Sequence, residues 1–184
     1  MRALSHSLVA QKTGRPEDRE RAGNLWSRVL SWQSESGLFV DSPGGLACPP
    51  TYHAKFCAML ALAQEFTDQD ESGQMRQALL RGLDSLAGLV SPGGVLIPYG
   101  RSRHTLFGYA AAILALNWGA RHADIKYAAP AHRLLKRLSA FQQGDGHIPC
   151  LLGPGEDRKA NWDVYINNPD YNSYAAALLL LTGN

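Results

Sequence analysis

Leu134-Leu135-Lys136-Arg137-Leu138-Ser139-Ala140-Phe141-Gln142-Gln143-Gly144-Asp145-Gly146-His147-Ile148 is the stretch that decides the fold. Leu134, Leu135, Leu138 and Phe141 recur at helical spacing and make one apolar stripe, leaving Arg133, Lys136 and Arg137 for water. The helix then runs into a glycine-rich turn, and the same grammar occurs twice upstream. Leu25, Trp26, Val29 and Leu30 precede Gln33-Ser34-Glu35-Ser36-Gly37-Leu38-Phe39. Met75, Leu79, Leu83, Leu86 and Val90 precede Ser91-Pro92-Gly93-Gly94-Val95-Leu96. Taking Gly37, Gly94 and Gly146 as equivalent gives spacings of 57 and 52 residues, which suits helical-hairpin repeats.

The stretches after the turns read differently. Phe56 to Ala63, Leu106 to Leu116 and Tyr174 to Leu181 carry no charge, so they predict helices buried on every side. Ala110-Ala111-Ala112, Ala175-Ala176-Ala177 and Gly108 let helix backbones approach closely. Helix starts are marked by Pro16 with Glu17 and Asp18, by Ser72 after Asp70 and Glu71, and by Pro130. Strand signals are poor; Val95-Leu96-Ile97 suffices for a small hairpin arm. Amphipathic outer helices alternating with apolar inner ones describe two concentric layers, with each turn carrying the chain from the outer row to the inner one.

The 184 residues are 45% hydrophobic and 18% charged, which predicts one globular domain over 1–184 and excludes a disordered or fibrous segment. Eighteen basic against sixteen acidic residues leave a net charge of +2, so there is no polybasic footprint for nucleic acid. Cys48, Cys57 and Cys150 are odd in number and form no CxxC pair, which argues for reduced thiols. Met1 to Ala10 has no continuous apolar run of the secretory kind, which points to the cytoplasm. Thr105 to Ala120, the longest uncharged run, falls short of the roughly 20 apolar residues of a bilayer span, so no membrane partner is expected.

The segments Leu30-Ser31-Trp32-Gln33 to Gly37-Leu38-Phe39 and Leu138 to Gly146 resemble the glutamine-then-glycine turn of the α/α-toroid superfamily. That superfamily includes six-hairpin glycosidases, heparinase- and alginate-lyase-like polysaccharide lyases, terpenoid cyclases and protein prenyltransferases. The resemblance runs from about residue 17 to the end. It implies an all-α open arc, a partial (α/α) toroid of three hairpins where closed carbohydrate-acting toroids use five to seven. Such an arc exposes inner-helix surface at both ends, so it predicts a homodimer, packing against a further domain, or a fragment of a longer protein. The fragment or partner reading is favoured.

In a toroid the residues that lead into inner helices ring one mouth, where helix dipoles favour anions. The first repeat offers Thr51, Tyr52, His53 and Lys55, and the second Tyr99, Arg101, Arg103 and His104. The third offers Trp162, Asp163, Tyr165, Asn167, Asn168, Asp170, Tyr171 and Asn172, within a polar insertion from Gly153 to Tyr171. Arg101 and Arg103 suit a carboxylate, and Trp162, Asp163, Tyr165 and Asn168 suit a sugar's apolar face and hydroxyls. The expected partner is therefore an acidic saccharide. For β-elimination on a uronic acid, Asn172, His104 or Arg103 would neutralise the carboxylate and Tyr52, Tyr171 or His53 would act as base or acid. Hydrolysis needs paired carboxylates, and Asp145 and Asp170 read as turn and cap residues, so it ranks second. A non-catalytic helical scaffold is the rival from another class. His53 and Cys57 share a helical face but lack a third ligand, so no metal and no cofactor are expected. Neither the DxDD motif of terpenoid cyclases nor a nucleotide-binding loop occurs in the chain.

Overall fold

A computed structural model describes residues 2–40, 48–68, 70, 72–100, 102–153 and 168–182. Among them are seven α-helices: α1 (Arg2–Thr13), α2 (Pro16–Leu30), α3 (Pro50–Phe66), α4 (Gln74–Gly88), α5 (Leu106–His122), α6 (Ala128–Ser139) and α7 (Asn168–Leu180). A single 3-10 turn, Ile125–Tyr127, leads into α6. None of these helices is long and apolar enough to cross a membrane.

The helices form an arc two layers deep. α3 packs along α5 and α5 along α7, while α1 flanks α3; these four make the inner row. α2, α4 and α6 lie outside, and each packs on the inner helix that precedes it: α2 on α1, α4 on α3, α6 on α5. The three hairpins are thus inner-then-outer in chain order, and α7 adds a further inner helix. α5 is buried from Gly108 through Leu116, as its uncharged sequence predicts. Its contact with α3 depends on Gly108, where a Cβ would come within 2.8 Å of Thr51 Oγ1.

The arc's ends depart from the sequence expectations. α1 escaped notice because its sequence is polar, yet Ala3, Ser7 and Ala10 form a narrow buried stripe. That stripe admits Trp26 of α2, whose indole N–H donates to Ser7 Oγ at 2.9 Å. Asp18 fastens the short α1–α2 connection by accepting from Thr13 Oγ1 at 2.9 Å and Arg15 Nε at 2.8 Å. At the other end α7 was expected to be buried all round, but Ala176, Ala177 and Leu180 face solvent. The reason lies in the packing rule: no outer helix follows α7 among the described residues.

The glycine turns are three copies of one structure. In each, the first residue's N–H donates to a carbonyl four residues on, and the glycine's N–H donates back to the first residue's carbonyl. The pairs are Ser34 with Leu38 and Gly37, Ser91 with Val95 and Gly94, and Gln143 with His147 and Gly146. All three glycines are left-handed, with φ of 83°, 73° and 86°. Gln33 and Gln142, at equivalent positions, donate their side-chain amides to the carbonyls of Gly37 and Gly146 at 2.9 and 3.0 Å.

What covers the turns differs. Gly37 sits on α4 so closely that a Cβ would come 2.5 Å from the Arg81 carbonyl oxygen, and a Cβ on Gly94 would overlap the Arg133 carbonyl of α6. Gln33 Nε2 reaches on to the Ala78 carbonyl at 2.8 Å, and Arg81 donates to Gln33 Oε1 at 2.8 Å. Among the described residues Gly146 meets no helix, and only its own Gln142 lies within 4 Å of where a Cβ would stand.

Left-handed backbone costs a residue with a Cβ about 1–2 kcal/mol, so Gly146→Ala is expected to lose that much in urea unfolding. Gly37→Ala and Gly94→Ala add a collision with a backbone carbonyl and are expected to lose on the order of 4 kcal/mol or to fail to fold. Equal losses at all three positions would refute the packing role given to the first two.

Candidate functional site

The N-terminal turns of α3, α5 and α7 meet at one mouth of the arc. There Tyr52, Phe107 and Tyr171 form a row of edge-to-face rings, with centroids 6.2 Å apart for the first pair and 5.5 Å for the second. Each ring comes from a different inner helix, so the row exists only because the three helices lie side by side. Beside it is a cavity of about 290 Å³ lined by Lys55, Phe107, Asp170, Tyr171 and Tyr174. This is close to the lower end of small-ligand pockets, about 300 Å³.

The cavity is mostly aromatic, with one cationic and one anionic side chain on its wall. Tyr174 contributes a hydroxyl that is buried and has no hydrogen-bond partner among the described residues. Burial raises its pKa, with the nearby Tyr171 adding to the effect, so it stays a neutral hydroxyl. Buried hydroxyls are nearly always paired, and this one is an exception among the described residues.

The loop leading into α5 is strained at this mouth. Ser102 and His104 are non-glycine residues with φ of 58° and 57°, a conformation that persists where surrounding contacts over-determine it. Those contacts are visible: the Ser102 carbonyl accepts from Thr51 Oγ1 at 2.8 Å and Thr105 Oγ1 at 3.1 Å. Ser102 Oγ lies 3.3 Å from the Tyr52 hydroxyl. The His104 carbonyl accepts from Leu152 N–H, and Leu106 N–H donates to the Cys150 carbonyl, both at 2.8 Å. The loop is thereby held against α3 on one side and an extended segment on the other.

The residues singled out in the sequence have different fates. Tyr52 and Tyr171 are brought together through Phe107, and His104 is half-buried in the strained loop. Arg103 is exposed on the same loop. Arg101, Trp162, Asp163 and Tyr165 lie outside the described residues, as does the side chain of Asn168, the first residue of α7.

His53 is a correction. Although next to Tyr52 in sequence, it faces about a quarter-turn away on α3 and is wholly buried. Its Nδ1 accepts the Phe39 N–H at 3.1 Å and its Nε2 donates to the Gly82 carbonyl at 3.0 Å, so both nitrogens tie the first turn to α4. A base with no exposed surface and no spare nitrogen cannot meet a substrate. Asn172 is likewise committed: Oδ1 accepts Ile148 N–H at 3.0 Å and Nδ2 donates to the Ile148 carbonyl at 2.8 Å. It anchors the third turn to α7 instead of neutralising a carboxylate. Cys57 Sγ lies 3.7 Å from His53 Nε2, deep in the core, and no group of three metal-ligating side chains occurs among the described residues.

Tyr174 stands with Tyr165 and Tyr171 in a short tyrosine-rich stretch of the sequence. Phe107 was missed, because it lies within an uncharged run that reads as core. The one available signal for Phe107 was its register, near the start of an inner helix like Tyr52.

With this geometry in view, comparison with solved structures is informative. A possible member of the GH105 family from Salmonella enterica subsp. enterica serovar Paratyphi A str. ATCC 9150 superposes with a TM-score of 0.75 at 15% identity, over 98% of this chain and 53% of that one. A polysaccharide lyase superposes with a TM-score of 0.73 at 18% identity, over 98% of this chain and 57% of that one. The fold is that of an α/α toroid. The chain forms an open arc of it and spans a little over half the length of the structures it matches. No protein-family model and no curated protein sequence matches it.

His53 supplies a pH test of the fold. Burial pushes its imidazole down to about 4 from 6.5, with the Gly82 carbonyl opposing the shift. The unfolded chain therefore takes up this proton first as pH falls, so the contribution is complete above 6.5, declines between 6.5 and 4, and levels off below. At about 1.4 kcal/mol per pH unit the loss amounts to about 3 kcal/mol. Urea midpoints measured from neutral pH to about 4 are expected to fall accordingly, and His53→Gln to flatten the slope.

Proposed function

We propose that the chain is the sugar-recognising arc of a carbohydrate-active protein whose ligand is an acidic saccharide. The observation that carries this reading is the mouth itself: a row of three rings from three inner helices, beside a cavity lined by Lys55, Asp170 and Tyr174. Ring faces stack on the apolar face of a pyranose, and an ammonium beside them pairs with a uronate carboxylate. Asp170 offers an acceptor for sugar hydroxyls. That the two structural neighbours are a possible GH105 member and a polysaccharide lyase supports the same reading.

β-Elimination is favoured over hydrolysis. Glycoside hydrolysis needs two carboxyl groups flanking the bond, and Asp170 is the one carboxylate among the described lining residues. In elimination, Lys55 would hold the uronate carboxylate and make the neighbouring C5 proton more acidic. Tyr171, Tyr52 or His104 would take that proton. The C5–H electron pair becomes the C4–C5 double bond, the C4–O bond breaks, and the leaving oxygen is protonated. A scaffold role has one observation of its own, the solvent-facing Ala176, Ala177 and Leu180 of α7.

Titration of the chain with oligogalacturonates, oligoglucuronates and neutral cello-oligosaccharides tests the reading. Binding of the acidic ladder is expected, weakened about tenfold or more by Lys55→Ala, the worth of one charge-assisted contact. A rise in ultraviolet absorbance from the unsaturated uronide would identify the lyase, and its loss in Tyr171→Phe would place the chemistry at the ring row. No binding to any acidic ladder would leave the scaffold reading in its place.

A further inference from the structure

A second cavity, of about 480 Å³, lies on the other side of Lys55, between α1, α2 and α3. Lys55 lines both cavities, so they are adjacent stations along one mouth. The second one has a distinct chemistry. Its described lining carries three cations, Arg2, Arg28 and Lys55, and no carboxylate, set among aromatic and aliphatic side chains. The carboxylates of Glu17 and Glu20 come in only farther along, where Arg2 and Arg28 border a separate surface depression.

The aromatic wall is ordered for contact with a flat ligand face. Trp32 meets Phe56 edge-to-face at 6.0 Å, and Phe56 in turn packs on buried Phe39 at 5.3 Å, which fixes the wall to the core. The Arg28 guanidinium lies 5.8 Å from the Trp32 ring centre. Trp26, the other indole of the lining, is buried and spends its N–H on Ser7, so Trp32 is the indole left for a ligand; Tyr52, from the end of the ring row, lines this cavity as well. Trp32 is half-buried and the guanidinium lies over one face of its ring, so the pair offers a carboxylate-bearing ring a bidentate fork on an aromatic support.

We infer that this cleft is a second anionic subsite, so that the ligand is an oligosaccharide of at least two acidic units laid along the mouth. One unit rests on the Tyr52–Phe107–Tyr171 row, the next against Trp32 and Arg28, and Lys55 stands between them. This rests on the saccharide reading above and adds to it the length and charge spacing of the ligand.

The test is calorimetric titration of the full chain with galacturonic acid and its linear dimer, trimer and tetramer, alongside the corresponding glucuronate ladder. Affinity is expected to rise about tenfold or more from one unit to three. Arg28→Ala and Trp32→Ala are each expected to remove most of that gain. Arg28 is exposed, so unchanged thermal unfolding is expected of Arg28→Ala, whereas Trp32→Ala also removes the packing on Phe56 and is expected to lower the unfolding temperature, with retained binding of the single unit showing that it folds.

If single units bind but length brings no gain, or the gain survives both substitutions, the subsite is refuted and the saccharide reading stands. If a neutral cello-oligosaccharide ladder shows the same gain, the cleft reads rings and not charge, and the anionic assignment fails. If no uronide of any length binds, both readings fall together.

Discussion

Everything in this arc depends on how closely a glycine turn can be pressed onto a helix backbone. At Gly37 and Gly94 the chain reverses from an outer to an inner helix in a left-handed conformation, and the carbonyl of Arg81 or Arg133 occupies the space a side chain would need. Two independent demands, on φ and on room, converge on one residue. The contact fixes the distance from one repeat to the next, because the turn belongs to one repeat and the carbonyl to its successor. Gln33 adds direction by bonding both its own turn and the Ala78 carbonyl of α4. The inner helices inherit their side-by-side spacing from this outer clamp and from the close passage of Gly108 over Thr51.

The mouth follows from that spacing. No single helix contains a site: α3 contributes Tyr52 and Lys55, α5 contributes Phe107, α7 contributes Asp170, Tyr171 and Tyr174, and parallel packing of the three helices assembles them. The strain at Ser102 and His104 fits the same scheme, since two threonine hydroxyls and an extended partner segment hold the entry to α5 where Tyr52 can meet it. His53 marks the boundary between frame and site. One position along α3 separates a tyrosine at the mouth from a histidine sealed in the core, because adjacent residues on a helix point about 100° apart.

The two ends of the arc show what a repeat needs from its neighbours. In the interior, an inner helix is covered by the outer helix that follows it, and a turn by the outer helix of the next repeat. At the C-terminal end neither cover is present among the described residues, so Gly146 and Gln142 are open and α7 turns Ala176, Ala177 and Leu180 to solvent. The neighbouring structures of this fold are nearly twice as long.

The sequence by itself determined the local structure and the repeat: the apolar stripes, the charge-free inner helices and the equivalence of Gly37, Gly94 and Gly146 follow from helical periodicity and from the backbone freedom of glycine. It also placed Tyr52 and Tyr171 near a common mouth, since both stand at the start of an inner helix. Only the tertiary structure decided which outer helix covers which inner one, that the polar α1 belongs to the inner row, and that Phe107 and Tyr174 line a cavity while His53 and Asn172 serve the frame. Periodicity tells which face of a helix is apolar but not what lies opposite it. Whether an aromatic ring or a histidine is core or site depends on that opposite surface, which is brought up from residues tens of positions away.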